Sequence, residues 1–140
     1  MSWDISVFAA SDPPPPVDSM PDDWRAQVLG TRQEVRDQIS QSIPDTDWTD
    51  PRWGSFAGDG FSFEFNIGSE EPSTGFMIHV RGGSDAVSLL LGLAKRSGWF
   101  LLDCSSGEWF HHCQDAHAGW QGFQAYRDSV LAKAKRDPTA

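Results

Sequence analysis

Basic residues are scarce in this chain of 140 residues: eleven Lys and Arg stand against twenty Asp and Glu, a formal net charge of −9 at neutral pH. A field of that sign repels phosphate backbones, which proteins grip through Lys and Arg, so nucleic acid and anionic membrane surfaces are not expected partners. Cysteine is almost missing as well. Cys104 and Cys113 are the only two, nothing in the composition suggests an oxidising compartment, and both are expected as free thiols. No apolar run approaches the ~20 residues of a membrane-spanning helix, Leu89-Leu90-Leu91 with its neighbours being the longest. Met1-Ser2-Trp3-Asp4 has neither the basic nor the apolar stretch of a secretory signal, so a cytoplasmic location is expected. The chain also lacks a nucleophile elbow, a His-Glu-x-x-His pair, a phosphate-cradling glycine loop and a Cys–His nucleophile arrangement.

What is present reads as one globular domain. The length suits a single core, and 39% hydrophobic with 22% charged residues lies outside the disordered range. Charge is unevenly spread: residues 1–75 hold fourteen acids against four Arg, a net of −10, whereas residues 76–140 carry a net of +1. Such an acidic half steers a basic protein surface toward it, and it also serves solubility.

Periodicity supplies the elements. Trp3 to Phe8 alternates as a strand with Trp3, Ile5 and Val7 on one face. Pro13 to Pro16 forbids helix or central strand, giving an extended connector over about 12–21, after which Asp22-Asp23-Trp24 opens a short helical turn ending near Gly30. Thr31 and Glu34 form a capping box, Val35, Ile39 and Ile43 make an apolar stripe, and Pro44 stops the helix, predicted over 32–43. Residues 45–54 read as a turn-rich segment. Residues 53–57, 61–67 and 76–81 read as an antiparallel meander in which Phe61, Phe63, Phe65, Phe76, Ile78 and Val80 share one face. A helix over 86–96, capped by Ser84 or Asp85 and apolar on most sides, is expected to be buried against the sheet and to end at Gly98. Residues 99–103 form a central strand and 108–111 a short edge strand. The last helix spans about 118–136, with Trp120, Phe123, Val130 and Leu131 on its inner side. The predicted fold is α+β: one mostly antiparallel sheet of five to six strands with two to three packed helices. Its expected core is Ile5, Val7, Val35, Ile39, Phe61, Phe63, Phe65, Ile78, Val80, Leu90, Leu93, Leu101 and Val130.

Three constellations can carry chemistry. His111, His112, Cys113, Asp115 and His117 are metal-ligand types, but all lie within seven residues, whereas stable zinc sites draw ligands from separate elements; no metal and no cofactor are expected. Glu64, His79 and Arg81 fall on the polar face of neighbouring strands, where a Glu–His pair would suit general acid–base work and a cross-strand ion pair is the plainer role. Asp45, Asp47 and Asp50 do not make a calcium loop, because position six is Asp50 instead of Gly and position twelve is Phe56 instead of Glu. With Asp59, and around Trp48 and Trp53, they offer aromatic anchors in an acidic rim; the rival reading buries both Trp as core, Trp53 no less than Trp48, and leaves the Asp as turn caps.

The order Asp-Trp-x-Asp-Pro-x-Trp-Gly (47–54), Gly-Asp-Gly-Phe-Ser-Phe-Glu-Phe-Asn (58–66), His-Val-Arg-Gly-Gly (79–83) and Gly-Trp-x-x-x-Asp-x-Ser-x-Gly-Glu (98–108) resembles small stand-alone bacterial proteins, some of which are similar to immunity proteins of interbacterial toxin systems. That resemblance covers about residues 45–108 and brings no active-site assignment. It implies a non-enzymatic protein whose partner is a cognate toxin domain with a basic surface. Asp45, Asp47, Trp48, Asp50, Asp59, Glu64, His79 and Arg81 are then the candidate contact residues. A small hydrolase or metal-dependent enzyme using Glu64 and His79 or the 111–117 cluster is the alternative from another class, and an adaptor or structural subunit the third.

The thiol and metal readings are directly testable. Thermal stability is expected to be the same with and without EDTA, since a structural metal is coupled to folding; one zinc per chain by elemental analysis refutes this. Replacing both cysteines with Ser should leave the fold intact, with Cys104, at a strand end, losing about 1–2 kcal/mol of packing.

Overall fold

The computed structural model describes residues 1–113 and 115–136. In chain order these form β1 (Trp3–Phe8), a 3-10 turn at Val17–Ser19, α1 (Arg32–Ser42), β2 (Asp47–Asp50), β3 (Trp53–Ala57), β4 (Phe61–Asn66), β5 (Phe76–Gly82), α2 (Val87–Ser97), β6 (Phe100–Asp103), β7 (Glu108–Trp109), a second 3-10 turn at Phe110–His112, and α3 (Ala116–Arg136). The strands make one sheet of order β2-β3-β4-β5-β1-β6-β7, and every neighbouring pair is antiparallel. None of the described helices is long and apolar enough to cross a membrane.

β1, the first of the described strands in chain order, is an interior one. In β1, Trp3, Ile5 and Val7 lie opposite Val80, Ile78 and Phe76 of β5, while Ile5 and Val7 also face Asp103 and Leu101 of β6. Directly opposed residues share a face. The apolar face therefore runs from Phe63 and Phe65 through Ile78 and Val80 to Ile5, Val7 and Leu101, all buried. The helices lie on it. The capping box of α1 forms as its sequence predicts, with Thr31 Oγ1 accepting from the Glu34 backbone and Glu34 Oε1 from that of Thr31. Asp85 caps α2 by accepting from the Ser88 N–H, and Gly98 closes its other end in the left-handed region at φ 76°. Trp120 Nε1 donates to the Ser84 carbonyl at 2.7 Å and Arg127 Nη1 to that of Gly82 at 2.6 Å, tying α3 to the chain between β5 and α2.

Several expectations need correction. Among the described residues the sheet has seven strands, the addition being β2, which the turn-like composition of residues 45–54 concealed. No helix forms over 22–30. Instead the chain runs extended, with a bridge from Ala9 to Gln27 and another from Gly30 to Ser73. β7 stops at Trp109, where a 3-10 turn takes over. The apolar α2 buries one face, through Val87, Leu90 and Leu93, and leaves Leu91 at the surface. Phe61 and Val130 are half-buried, and Leu131 is exposed, because the distal part of α3 runs past the core.

One contact joins β1, β6 and α3. Trp3 Nε1 donates to Asp103 Oδ1 at 3.0 Å, and the same buried carboxylate accepts from the backbone and hydroxyl of Ser105. The Trp3 ring stacks on Trp120 at 5.3 Å and Phe110 at 5.9 Å. α3 passes over this group at Gly119, where a Cβ would lie 2.5 Å from Asp103 Oδ2 and 3.3 Å from the Trp3 ring. Ala in place of a helical Gly ordinarily stabilises by about 1 kcal/mol. Gly119→Ala should do the opposite, lowering stability by about 1–3 kcal/mol, whereas Gly122→Ala, with nothing near its added Cβ, should raise it. Urea denaturation of the two variants provides the comparison, and equal effects would remove the packing argument.

Candidate functional site

Strand alternation places Asp4, Ser6 and Phe8 of β1, Trp53 and Ser55 of β3, Ser62, Glu64 and Asn66 of β4, and Met77, His79 and Arg81 of β5 on the sheet face away from the helices. One end of that face is covered. The connector returns over it, with the Pro14 carbonyl 3.0 Å from His111 Nε2 and Trp24 edge-on to Phe8 at 6.4 Å and Trp109 at 6.5 Å. At the other end, Trp53 keeps 36% of its surface exposed.

Five side chains interlock there. Glu64 Oε2 accepts from Trp53 Nε1 at 3.1 Å while Oε1 pairs with Arg81 Nη1. The Trp53 ring stacks on His79 at 5.7 Å, and His79 Nδ1 lies 2.8 Å from Asp4 Oδ1. Partial burial works to raise the Asp4 pKa, but hydrogen bonds from His79 and Ser2, with the charges of His79 and Arg81, hold it below its ordinary 3.8. Glu64 and His79 sit opposite each other in the ladder, yet each is bonded elsewhere, so the anticipated Glu–His pair gives way to an Asp4–His79 pair. A carboxylate-held imidazole is half of an acid–base device. Among the described residues no hydroxyl or thiol hydrogen-bonds His79, since Ser6 Oγ contacts Cys104 Sγ instead, at 3.3 Å.

The acidic segment divides. Asp47 and Asp50 lie opposite Ser55 and Trp53, hence on the open face at the β2 edge. Asp47 accepts from the hydroxyl and backbone of Thr49, which lower its pKa, and Asp50 accepts from the Arg52 backbone. Trp48 faces the opposite way: its Nε1 donates to Ser40 of α1 at 3.0 Å and its ring lies against Phe65 and the bare backbone of Gly54. It closes the core, whereas Trp53 lies on the open face. Asp45 is exposed before β2, and Asp59 is exposed in the β3–β4 turn, at the far end of β3 from Asp50. The structure thus gathers Asp47, Asp50, Glu64, His79 and Arg81 on one face and sets Trp48, Asp45 and Asp59 apart from it. Asp4 is the member that sequence reasoning missed; its only signal was the polar place in the Trp3-Asp4-Ile5 alternation, and its meeting with His79 depends on pairing across 75 positions.

The 111–117 residues are spent separately. His111 meets Pro14, His117 lies between Asp85 at 3.2 Å and Asp115 at 3.1 Å, and Cys113 lies against Glu108 and the Trp109 carbonyl. Burial, then the Glu108 carboxylate, pushes the Cys113 thiol up to about 11. Among the described residues no three His, Cys, Asp or Glu side chains converge as a metal site would require. Cys104 is exposed, which corrects its expected packing role, and both thiols are free.

The molecule is an α+β protein in which helices seal one face of an antiparallel sheet and a hydrogen-bonded aromatic and charged cluster occupies the other. No known protein family matches the chain, and neither the curated proteins nor the solved structures contain a match.

The Asp4 pair carries a pH signature. Because the folded pKa of Asp4 lies below the unfolded value of 3.8, its contribution to stability is complete above that value and is lost as pH falls through the folded pKa. Melting temperatures of the parent and Asp4→Asn should differ at neutral pH and converge in acid below pH ~4. A constant difference across that range would show that Asp4 acts by packing alone.

Proposed function

We propose that the protein is a non-enzymatic binding protein, an immunity protein that occludes a basic toxin domain with the open sheet face. The observation that carries this reading is Trp53. It is a large aromatic ring left at the surface, yet fixed by Glu64 and by the His79 ring. Interface energy concentrates in rigid aromatic and Arg anchors surrounded by polar groups, and Trp53 with Arg81 supplies both types. Asp47 and Asp50 at the β2 edge would steer a basic partner without being desolvated. The internal saturation of Asp4, Glu64 and His79 suits a preorganised contact surface better than a site that must exchange protons.

Co-expression with candidate toxin domains of basic surface, together with binding kinetics, tests the proposal. Trp53→Ala should weaken binding by about 2 kcal/mol, a Kd increase of roughly thirtyfold. Asp47→Lys with Asp50→Lys should slow association and leave the melting temperature nearly unchanged. Full protection by both variants would place the interface elsewhere, and protection lost only in step with stability would make these residues structural.

A further inference from the structure

A groove of about 320 Å³ lies between α3 and the β6–β7 turn, and none of its walls belongs to the Trp53 cluster. Its floor is Asp103, a residue only 3% exposed. The two oxygens of that carboxyl group are used unequally. Oδ1 accepts from Trp3 Nε1 at 3.0 Å, from the Ser105 N–H at 2.9 Å and hydroxyl at 2.7 Å, and from the Ser106 N–H at 3.4 Å. Oδ2 accepts no hydrogen bond among the described residues, and no cationic side chain there pairs with Asp103. Among those residues, the side-chain atoms sealed from solvent without a partner are Ser42 Oγ and Trp109 Nε1. Oδ2 is not one of them, so it is open, and the groove is its opening.

We propose that this groove binds an alkylammonium group, with Asp103 Oδ2 as the acceptor. A buried carboxyl oxygen calls for a donor, and a charged donor makes the stronger bond. α3 leaves the room for it. Gly119, Gly122, Phe123 and Tyr126 share one face of that helix, at i, i+3, i+4 and i+7, and line the groove. A Cβ at Gly119 would lie 2.5 Å from Oδ2, in the place of the donor, and a Cβ at Gly122 would meet nothing within 4 Å. Phe123 is fixed by stacking on Trp120 at 5.9 Å, and Tyr126 keeps 63% of its surface exposed. Aromatic walls suit both an alkyl chain and its cation. No Lys or Arg lines the groove to compete. An ammonium fits better than a guanidinium, whose planar fork needs two free acceptors side by side, because Oδ1 is already saturated.

The inference stands apart from the toxin reading and is tested without a toxin. In assigned nitrogen-15 NMR spectra of the full chain, n-butylammonium should saturably shift the Ser105, Ser106, Gly119 and Gly122 amides and the Trp3 indole N–H. 1-Butanol should not, and n-butylguanidinium should bind about tenfold more weakly. Tighter binding of N-acetyl-lysine amide than of n-butylammonium would identify a peptide lysine as the group, and the reverse order a free amine. Asp103→Asn, which keeps an oxygen for the Trp3 N–H, should weaken the response about tenfold. Gly122→Leu should fill the groove and abolish it without touching Asp103, while unchanged dispersion of the other signals confirms an intact fold. Equal shifts with 1-butanol, tighter binding of the guanidinium, no saturable shift, or a response retained by Gly122→Leu would overturn the proposal.

Discussion

The pairing of β1 on both of its edges governs this structure. Because β5 and β6 bond it antiparallel on either side, its two-residue alternation is imposed on the strands around it. Trp3, Ile5 and Val7 define the side that the helices cover, and Asp4 and Ser6 define the side away from them. A one-residue slip would exchange the two sets, placing Asp4 in the core and Trp3 in water. The Trp3–Asp103 bond works against such a slip. It gives a buried indole N–H an acceptor in the Asp103 side chain, and the same side chain holds the β6–β7 turn. Gly119 then sets how closely α3 approaches.

The sheet is asymmetric in what it buries. The helix side is a continuous apolar core of aromatic and branched side chains. The other side is divided. The connector and Trp24 cover an aromatic group of Phe8, Trp109 and His111, and beyond it lies the Trp53 cluster. Each polar atom pair in that cluster is a contact between different strands, so the surface is as rigid as the sheet beneath it. Rigidity of this kind lowers the entropic cost of ordering the surface against a partner. It also keeps Glu64 and His79 from pairing with each other: Glu64 is held by Trp53 and Arg81, His79 by Asp4 and Trp53.

Much of this was legible in the residues. The alternation of β1, β4 and β5, the Thr31–Glu34 box, Pro44 and Gly98 all act within a few positions of chain, so local physics decides them. The choice of Glu64, His79 and Arg81 as neighbours followed from the same two-residue period applied to adjacent strands. β2 was hidden because Asp and Thr are poor strand formers, and its place comes from pairing with β3 at the sheet edge. The segment 22–30 has helical composition but bridges to Ala9 and Ser73 instead, an override of local propensity by tertiary contact.

The sequence by itself determined the α+β class, the apolar face, the helix ends and the acidic balance, because each arises from periodicity, capping chemistry or composition. Only the tertiary structure decided which tryptophan serves which purpose. Trp48 and Trp53 stand five positions apart in equally acidic surroundings, but an irregular register between β2 and β3 sends one beneath α1 and the other onto the open face. Only the tertiary structure, too, brought Asp4 to His79, since β1 reaches β5 by pairing across more than half of the chain. Side-chain direction at a sheet edge and partnership between distant strands are set by long-range register, and no local pattern encodes them.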